Sequence, residues 1–222
     1  MTVLLSCVRD DLAITISDRR LNIDKNQSSG YSDDANKLRE FGYGWATGSG
    51  LYDVTNNVVD ELISEGKKGS LNIEEVYRQK IEVLTKHNPH LTEDIKNTIT
   101  LLSWLDSNKT FQTGFLQGGR FRTLNKKKIF VVYPEDFVID QEKVEKIERD
   151  NDFNIDQDKS IQDILGKLFN IYEEISDGSN YVSKYCDVGI LFFDNKGINK
   201  IRETMDIEEL VFNLKAGAFD DL

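Results

Sequence analysis

Apolar residues recur along this chain in two rhythms, and the switches between them mark out its elements. The run TVLLSCV (2–8) is rich in apolar and β-branched residues, and the triplet Arg9-Asp10-Asp11 ends it as a tight turn. Leu12, Ile14 and Ile16 then alternate with Ala13, Thr15 and Ser17, the two-residue period of a strand. Positions 22–34 are polar, with Ser28-Ser29-Gly30 among them, and predict a loop. ANKLREF (35–41) and YGWATGSG (43–50) predict a second strand pair that turns near Gly42.

The period then becomes helical. Leu51, Val54, Val58, Leu62 and Ile63 share one face of a helix over 51–66, with Gly66 as its expected stop. Asn72 with Glu75 resembles a capping box and opens a helix over 73–87, striped by Ile73, Val76, Tyr77, Ile81 and Leu84; Pro89 closes the region. Strand signals return in NTITLLSWLD (97–106), TFQTGFLQ (110–117), RFRTLN (120–125) and KKIFVVYP (127–134). The highly charged stretch 135–159 reads as loop, with room for one short helix around Val144 and Ile147. Ser160 and Asp163 cap the strongest helix, carrying Ile161, Ile164, Leu165, Leu168, Phe169, Tyr172 and Ile175. YCDVGILFFD (185–194) and INKIRE (198–203) form a strand pair around Asn195-Lys196-Gly197, and a last helix runs from Asp206 to near Gly217.

Hairpin-wise strands imply mainly antiparallel sheets, and helices arriving in separate groups can cover two opposite faces. The expected fold is α+β: a four-layer α-β-β-α sandwich of two mainly antiparallel sheets, with a three-layer α+β arrangement left open by periodicity. No repeat or low-complexity linker divides the chain, so residues 1–222 are expected to form a single domain.

Composition narrows the function. A net charge of −11 argues against a nucleic-acid binder, which needs clustered cations to neutralise phosphates. The basic run Lys126-Lys127-Lys128 reads as a solvated strand flank. No apolar run approaches the roughly 20 residues that span a bilayer, and no basic region precedes the apolar stretch from Val3, so neither membrane nor export signal is expected. Cys7 and Cys186, too few for a disulfide framework, fit buried thiols in a reducing cytoplasm. His87 and His90, on either side of Pro89, read as a polar loop after a helix. With no zinc spacing, P-loop or dinucleotide fingerprint, no metal and no cofactor are expected.

Against that background, the opening TVLLSCVRDDLAITISDRR resembles the start of the proteasome β-subunit family, including its HslV-type and Anbu-type bacterial members. These are N-terminal nucleophile (Ntn) hydrolases whose mature chain begins with Thr, followed by strand, turn, strand, an Asp-x-Arg and a Lys on the next strand. The resemblance assigns the nucleophile to Thr2, the Asp-x-Arg to Asp18 and Arg20, and the Lys to Lys37 within NKLREF. YGWATGSGLYD is similar to the family's Gly-rich strand-to-helix junction, making Gly50 the backbone oxyanion donor and Gly48 the alternative. Downstream the chain departs from the pattern. Where the family carries an Asp and a Ser three residues apart before its penultimate strand, SNYVSKYCDVG offers Ser183 and Cys186, and the family's Gly-Ser-Gly turn has no counterpart around VVYPEDFVID.

The chemistry requires these residue types. A Thr hydroxyl needs a base to become a useful nucleophile. An N-terminal Thr carries its own, an α-amine of unperturbed pKa about 7.7–8.0. A neighbouring Lys ammonium lowers that value, an Asp holds the Lys, and a backbone N–H stabilises the oxyanion. Taken singly, Thr2 also suits an ordinary first strand, Asp18 with Arg20 a turn ion pair, Lys37 a solvated position, and Gly48 and Gly50 close packing. The resemblance therefore implies a Thr2-dependent peptide or amide hydrolase acting after Met1 removal, working as a homo-oligomeric ring, with the need for an ATPase partner open. The alternatives are a non-catalytic assembly protein of the same fold and a small-molecule amidase.

Overall fold

The computed structural model describes residues 2–22, 30–42, 44–67, 72–194 and 197–220. In chain order, β1 (Leu4–Val8) and β2 (Leu12–Asp18) form a hairpin, β3 (Leu21–Asn22) and β4 (Tyr31–Ser32) a two-residue ladder, and β5 (Arg39–Phe41) and β6 (Gly44–Ser49) a second hairpin. α1 (Tyr52–Lys67), α2 (Ile73–His87), a 3-10 turn (Pro89–Leu91) and α3 (Thr92–Asn97) follow. Then come β7 (Ile99–Leu105), β8 (Phe111–Gln117), β9 (Arg120–Thr123), β10 (Phe130–Val132), α4 (Glu135–Ile139), α5 (Gln141–Asp150), α6 (Ile161–Gly178), β11 (Tyr185–Asp194), β12 (Gly197–Asp206) and α7 (Ile207–Lys215).

The strands build two five-stranded sheets, ordered β10-β1-β2-β11-β12 and β5-β6-β7-β8-β9, with every pairing antiparallel. The first sheet turns Leu5, Cys7, Leu12, Ile14, Ile16, Val188 and Ile190 toward α6 and α7. The second turns Phe41, Ala46, Leu102 and Leu116 toward Val54, Val58 and Leu62 of α1 and Tyr77 and Ile81 of α2. The result is the α-β-β-α sandwich. α6 buries Ile164, Leu165, Leu168, Phe169, Ile171, Tyr172 and Ile175. At about 1.5–3 kcal/mol for each large apolar side chain, this face outweighs its Ser160–Asp163 capping box, worth roughly 1 kcal/mol.

Both faces of β2 are buried, because the sheets stack on its second face. Part of that interface is apolar: Val8, Ala13, Leu38, Trp45, Phe111 and Leu191. Gly189 lies so close under Trp45 that a Cβ there would sit 2.8 Å from the indole. The rest is a layer of hydroxyls. Thr15 Oγ1 and Ser103 Oγ are 2.7 Å apart, Ser103 Oγ and Thr113 Oγ1 3.1 Å, and Thr47 Oγ1 donates to Ser17 Oγ at 3.0 Å. Buried hydroxyls are costly unless paired, and these pair with one another.

Several boundaries differ from the sequence reading. α1 continues through Gly66 to Lys67, one residue past the expected stop. The charged stretch after Pro134 holds two helices, α4 and α5, which bury Phe137, Val144 and Ile147 against the first sheet's helical layer. The expected strand over 35–41 is shorter: only Arg39–Phe41 pair, and residues 33–38 run in without regular structure. The expected loop over 22–34 carries the β3–β4 ladder at its ends, while its centre, 23–29, lies outside the described residues, as do Asn195 and Lys196 of the expected turn.

Candidate active site

The hairpin places the first two groups. With Leu4 opposite Ser17, and Asp18 N donating to Val3 O at 3.4 Å, the end of β2 returns beside the start of β1. Thr2 is 6% exposed and Asp18 fully buried. Arg20 N donates to Asp18 Oδ2 at 2.9 Å and fixes that carboxylate.

Lys37 reaches the same point from the irregular segment ahead of β5, not from a strand as the sequence reading expected. Its Nζ donates to Thr2 Oγ1 at 2.8 Å, to Asp18 Oδ1 and Oδ2 at 3.2 and 3.3 Å, and to the Arg20 carbonyl. An ammonium has three protons, so the carboxylate shares one between its oxygens. Burial pushes the Asp18 carboxyl above its ordinary value and the Lys37 ammonium below its own, while the attraction between the two opposes both shifts. Arg20 turns away to pair with Asp33 at 2.8 and 3.0 Å, an arrangement that holds the Asp33 carboxyl below its usual range.

The second sheet supplies the opposite wall. Ser49 Oγ lies 3.4 Å from Thr2 N and 3.3 Å from Thr2 O, tethering the main chain of the residue. Gly50 leads into α1 with φ +113°, a conformation L side chains rarely adopt, and a Cβ there would meet Thr98 Oγ1 at 2.7 Å. Gly48 is packed as tightly: its Cβ would fall 2.4 Å from Thr55 Oγ1. Thr2, Lys37, Gly48, Gly50, Tyr52 and Asn56 are among the residues around a pocket of about 70 Å³.

Ser183 and Cys186 stand further back. Ser183 Oγ accepts from Tyr185 N at 3.0 Å, and its hydroxyl helps hold the Asp33 carboxyl low. Cys186 is paired with Asp18 across the β2–β11 ladder, yet its thiol belongs to the α6 side of the sheet, where burial pushes its pKa up. Among the described residues, the side chains that bond Thr2 and the Lys37 ammonium are those of Asp18, Ser49 and each other, with the Arg20 carbonyl beside them. Ser49, Asp33 and Asp187 were missed by the sequence reading. The alternation of β11 carried the signal for Asp187: it shares parity with Gly189 and Leu191, which face the other sheet. No group of three or more His, Cys, Asp or Glu among the described residues is placed to hold a metal ion, and no helix is long and apolar enough to cross a membrane.

A hydroxyl held by a buried ammonium–carboxylate pair, lining a pocket beside two glycines at a helix start, is suited to acyl transfer. What it lacks while Met1 is attached is a base, since Thr2 N is then an amide with no lone pair to offer.

No protein-family model and no curated protein matches the sequence. Solved structures do match the fold. An Anbu mutant from Hyphomicrobium sp. strain MC1 superposes with a TM-score of 0.70 at 10% identity, covering 100% of this chain and 94% of that one. Anbu, an ancestral beta-subunit, from Yersinia bercovieri gives 0.69 at 12% identity, covering 98% and 93%.

Proposed function

From a proteasome β-like fold of the Anbu type, we propose that this chain is a threonine-dependent peptide or amide hydrolase, with Thr2 as N-terminal nucleophile once Met1 is removed. The observation that carries the reading is the 2.8 Å bond from Lys37 Nζ to Thr2 Oγ1, made while the same Nζ contacts both oxygens of Asp18.

In this reading the freed α-amine of Thr2 accepts the Oγ1 proton as the oxygen attacks the amide carbonyl. The Lys37 ammonium keeps the amine neutral at working pH and offsets the charge growing on Oγ1, and Asp18 keeps Lys37 charged despite its burial. The oxyanion is met by the N–H of Gly50, or by that of Gly48, a contribution of about 2.7–4 kcal/mol per donor. Collapse expels the amine with the proton taken from Thr2, and water then cleaves the Thr2 ester. Ser183 and Cys186 act as supports for the Asp33 and Asp18 neighbourhoods. We propose assembly as a homo-oligomeric ring, in line with the beta-subunit description of the Yersinia protein, and a reducing, cytoplasmic setting for the two unpaired buried thiols.

Intact mass of protein made in its native host, before and after treatment with an acylating β-lactone, tests the nucleophile. The expected result is loss of Met1, one adduct on Thr2, none on Thr2→Ala, and cleavage of peptide amides by the wild type alone. Met1 removal with full activity in Thr2→Ala would overturn the assignment. A retained Met1 with no adduct and no cleavage would leave the assembly role in its place.

A further inference from the structure

Behind Lys37 sits a second carboxylate. Asp187 is fully buried on the inward face of β11. Its Oδ1 accepts from Arg202 at 2.9 Å, from Thr204 Oγ1 at 2.6 Å and from Arg19 at 3.3 Å, and its Oδ2 is buried without a hydrogen-bond partner. A buried carboxylate oxygen left unsatisfied costs on the order of 1–3 kcal/mol or more, so packing alone does not explain this residue. What its two arginines grip does. Arg19 also donates to the carbonyls of Asp33 and Asp34, at 3.4 and 3.0 Å, and its own carbonyl accepts from Ala35 N at 3.2 Å. Arg202 donates to Asn36 Oδ1 at 2.6 Å. Residues 33–36 are thus held by guanidinium groups that Asp187 anchors, and the next residue is Lys37.

Charge points the same way. Lys37 faces Asp18 and Arg20 from the β2 end, Asp33 from its own segment, Asp187 from β11, and, through Asp187, Arg19 and Arg202. Removing Asp187 leaves four cations facing two carboxylates around a Lys37 side chain that is 5% exposed. The attraction of Asp187 also helps hold the Lys37 ammonium charged.

We propose that Asp187 is the positioning residue for Lys37: by anchoring Arg19 and Arg202 it clamps the irregular segment 33–36 and supplies the counter-charge that keeps Lys37 Nζ against Thr2. Its catalytic consequence rests on the hydrolase reading above; its effect on Lys37 does not. No strand fixes Lys37, so something else has to, and the clamp joins β2, β11 and β12 to that one segment.

The test follows the Lys37 side chain by 13Cε NMR titration of the full chain, with the signal assigned by its loss in Lys37→Met. Asp187→Asn removes the counter-charge and is expected to move the Lys37 titration to lower pH; Asp187→Glu, which keeps the charge, returns it toward wild type. Arg202→Gln, on the partly exposed edge strand β12, removes a cation and moves it to higher pH. Opposite shifts from the two neutralising variants are not produced by general loosening. In kinetics, Asp187→Asn lowers kcat on the order of ten- to a hundredfold with KM little changed, the cost of a misplaced group. A Lys37 titration unmoved by both Asp187→Asn and Arg202→Gln overturns the proposal. Should Asp187→Asn not fold, Arg202→Gln decides alone, an upward shift supporting the proposal and no shift overturning it. A wild-type protein that has lost Met1 and hydrolyses nothing ends the hydrolase reading, while the Lys37 titration still decides whether Asp187 positions Lys37.

Discussion

Replacing Lys37 by Met keeps the length of the side chain and deletes its charge, which leaves Asp18 alone in the interior. The pair is 3.2 Å apart, with side chains 5% and 0% exposed, so solvent screens it little. At an effective dielectric of about 20, Coulomb's law gives about 5 kcal/mol of attraction at that distance. Desolvation cancels much of this in the intact pair, but losing one partner leaves the whole burden on the other, and such losses run to about 3–5 kcal/mol. With a urea m-value of about 2 kcal/mol/M, the unfolding midpoint of Lys37→Met falls by roughly 1.5–2.5 M near pH 8. The loss depends on pH with a definite sign. Burial already raises the Asp18 carboxyl above its ordinary value, and without Lys37 it rises further. Between the unfolded carboxylate pKa of about 3.9 and the raised folded value, the native state binds more protons than the unfolded one, so stability falls as pH rises through that window. Lys37→Met is therefore closer to wild type at pH 5 than at pH 8. Adding Asp18→Asn removes the orphaned charge while still accepting from Arg20 N, and the double variant is expected to regain most of the lost stability while remaining inactive. Urea melts at both pH values, with peptide-amide hydrolysis in parallel, read this directly. A single variant with the wild-type midpoint at pH 8 would refute the claim that Asp18 depends on Lys37 for its charge.

Two further outcomes follow from the geometry. Gly50→Ala must hold φ near +113° and place a Cβ 2.7 Å from Thr98 Oγ1 and 2.9 Å from Thr98 Cα; a cost of roughly 1–3 kcal/mol in thermal or urea unfolding and a fall in hydrolysis are expected, and an unperturbed melt would contradict the packing. Asp33, held low by Arg20, contributes stability that is complete above the unfolded carboxylate pKa and is lost as pH falls through its depressed folded value, so Arg20→Gln should flatten the acid limb of unfolding monitored by circular dichroism.

The layers and the approach of Asp18 to Thr2 could be read in advance because local signals fix them. The alternation Leu12-Ile14-Ile16 gives β2 its outward face, the RDD turn makes the hairpin, and the hairpin alone returns Asp18 to Thr2. The stripes of α1, α2 and α6 are similarly local. Lys37 was legible as a residue but not as a conformation. The segment just before it is bonded by residues far along the chain, Asn36 to Arg202 and Arg202 to Asp187, which no short-range period encodes. α4 and α5 were hidden by charge: Phe137, Val144 and Ile147 are few among many acidic and basic neighbours, and their burial depends on a tertiary partner. Ser183 and Cys186 came from the family resemblance, whereas strand parity decides which face a side chain takes, and it sends Cys186 toward α6 and Asp187 toward the other sheet.

The hydroxyl layer between the sheets bears on the candidate site as a matter of alignment. Thr2 and Asp18 belong to one sheet, Ser49 and the glycines beside it to the other, so the working distances of the site are also the spacing and lateral offset of two stacked surfaces. Between leucine and valine faces the offset is held by packing alone, through dispersion contacts that carry no preferred direction. Thr15 on Ser103 and Thr47 on Ser17 add direction, since a hydrogen bond weakens steeply once its angle and length are lost. The layer acts as a set of dowels between two plates: it gives up some apolar adhesion in exchange for one fixed offset, and through it Thr2 on one plate faces Ser49 and its neighbouring glycines on the other.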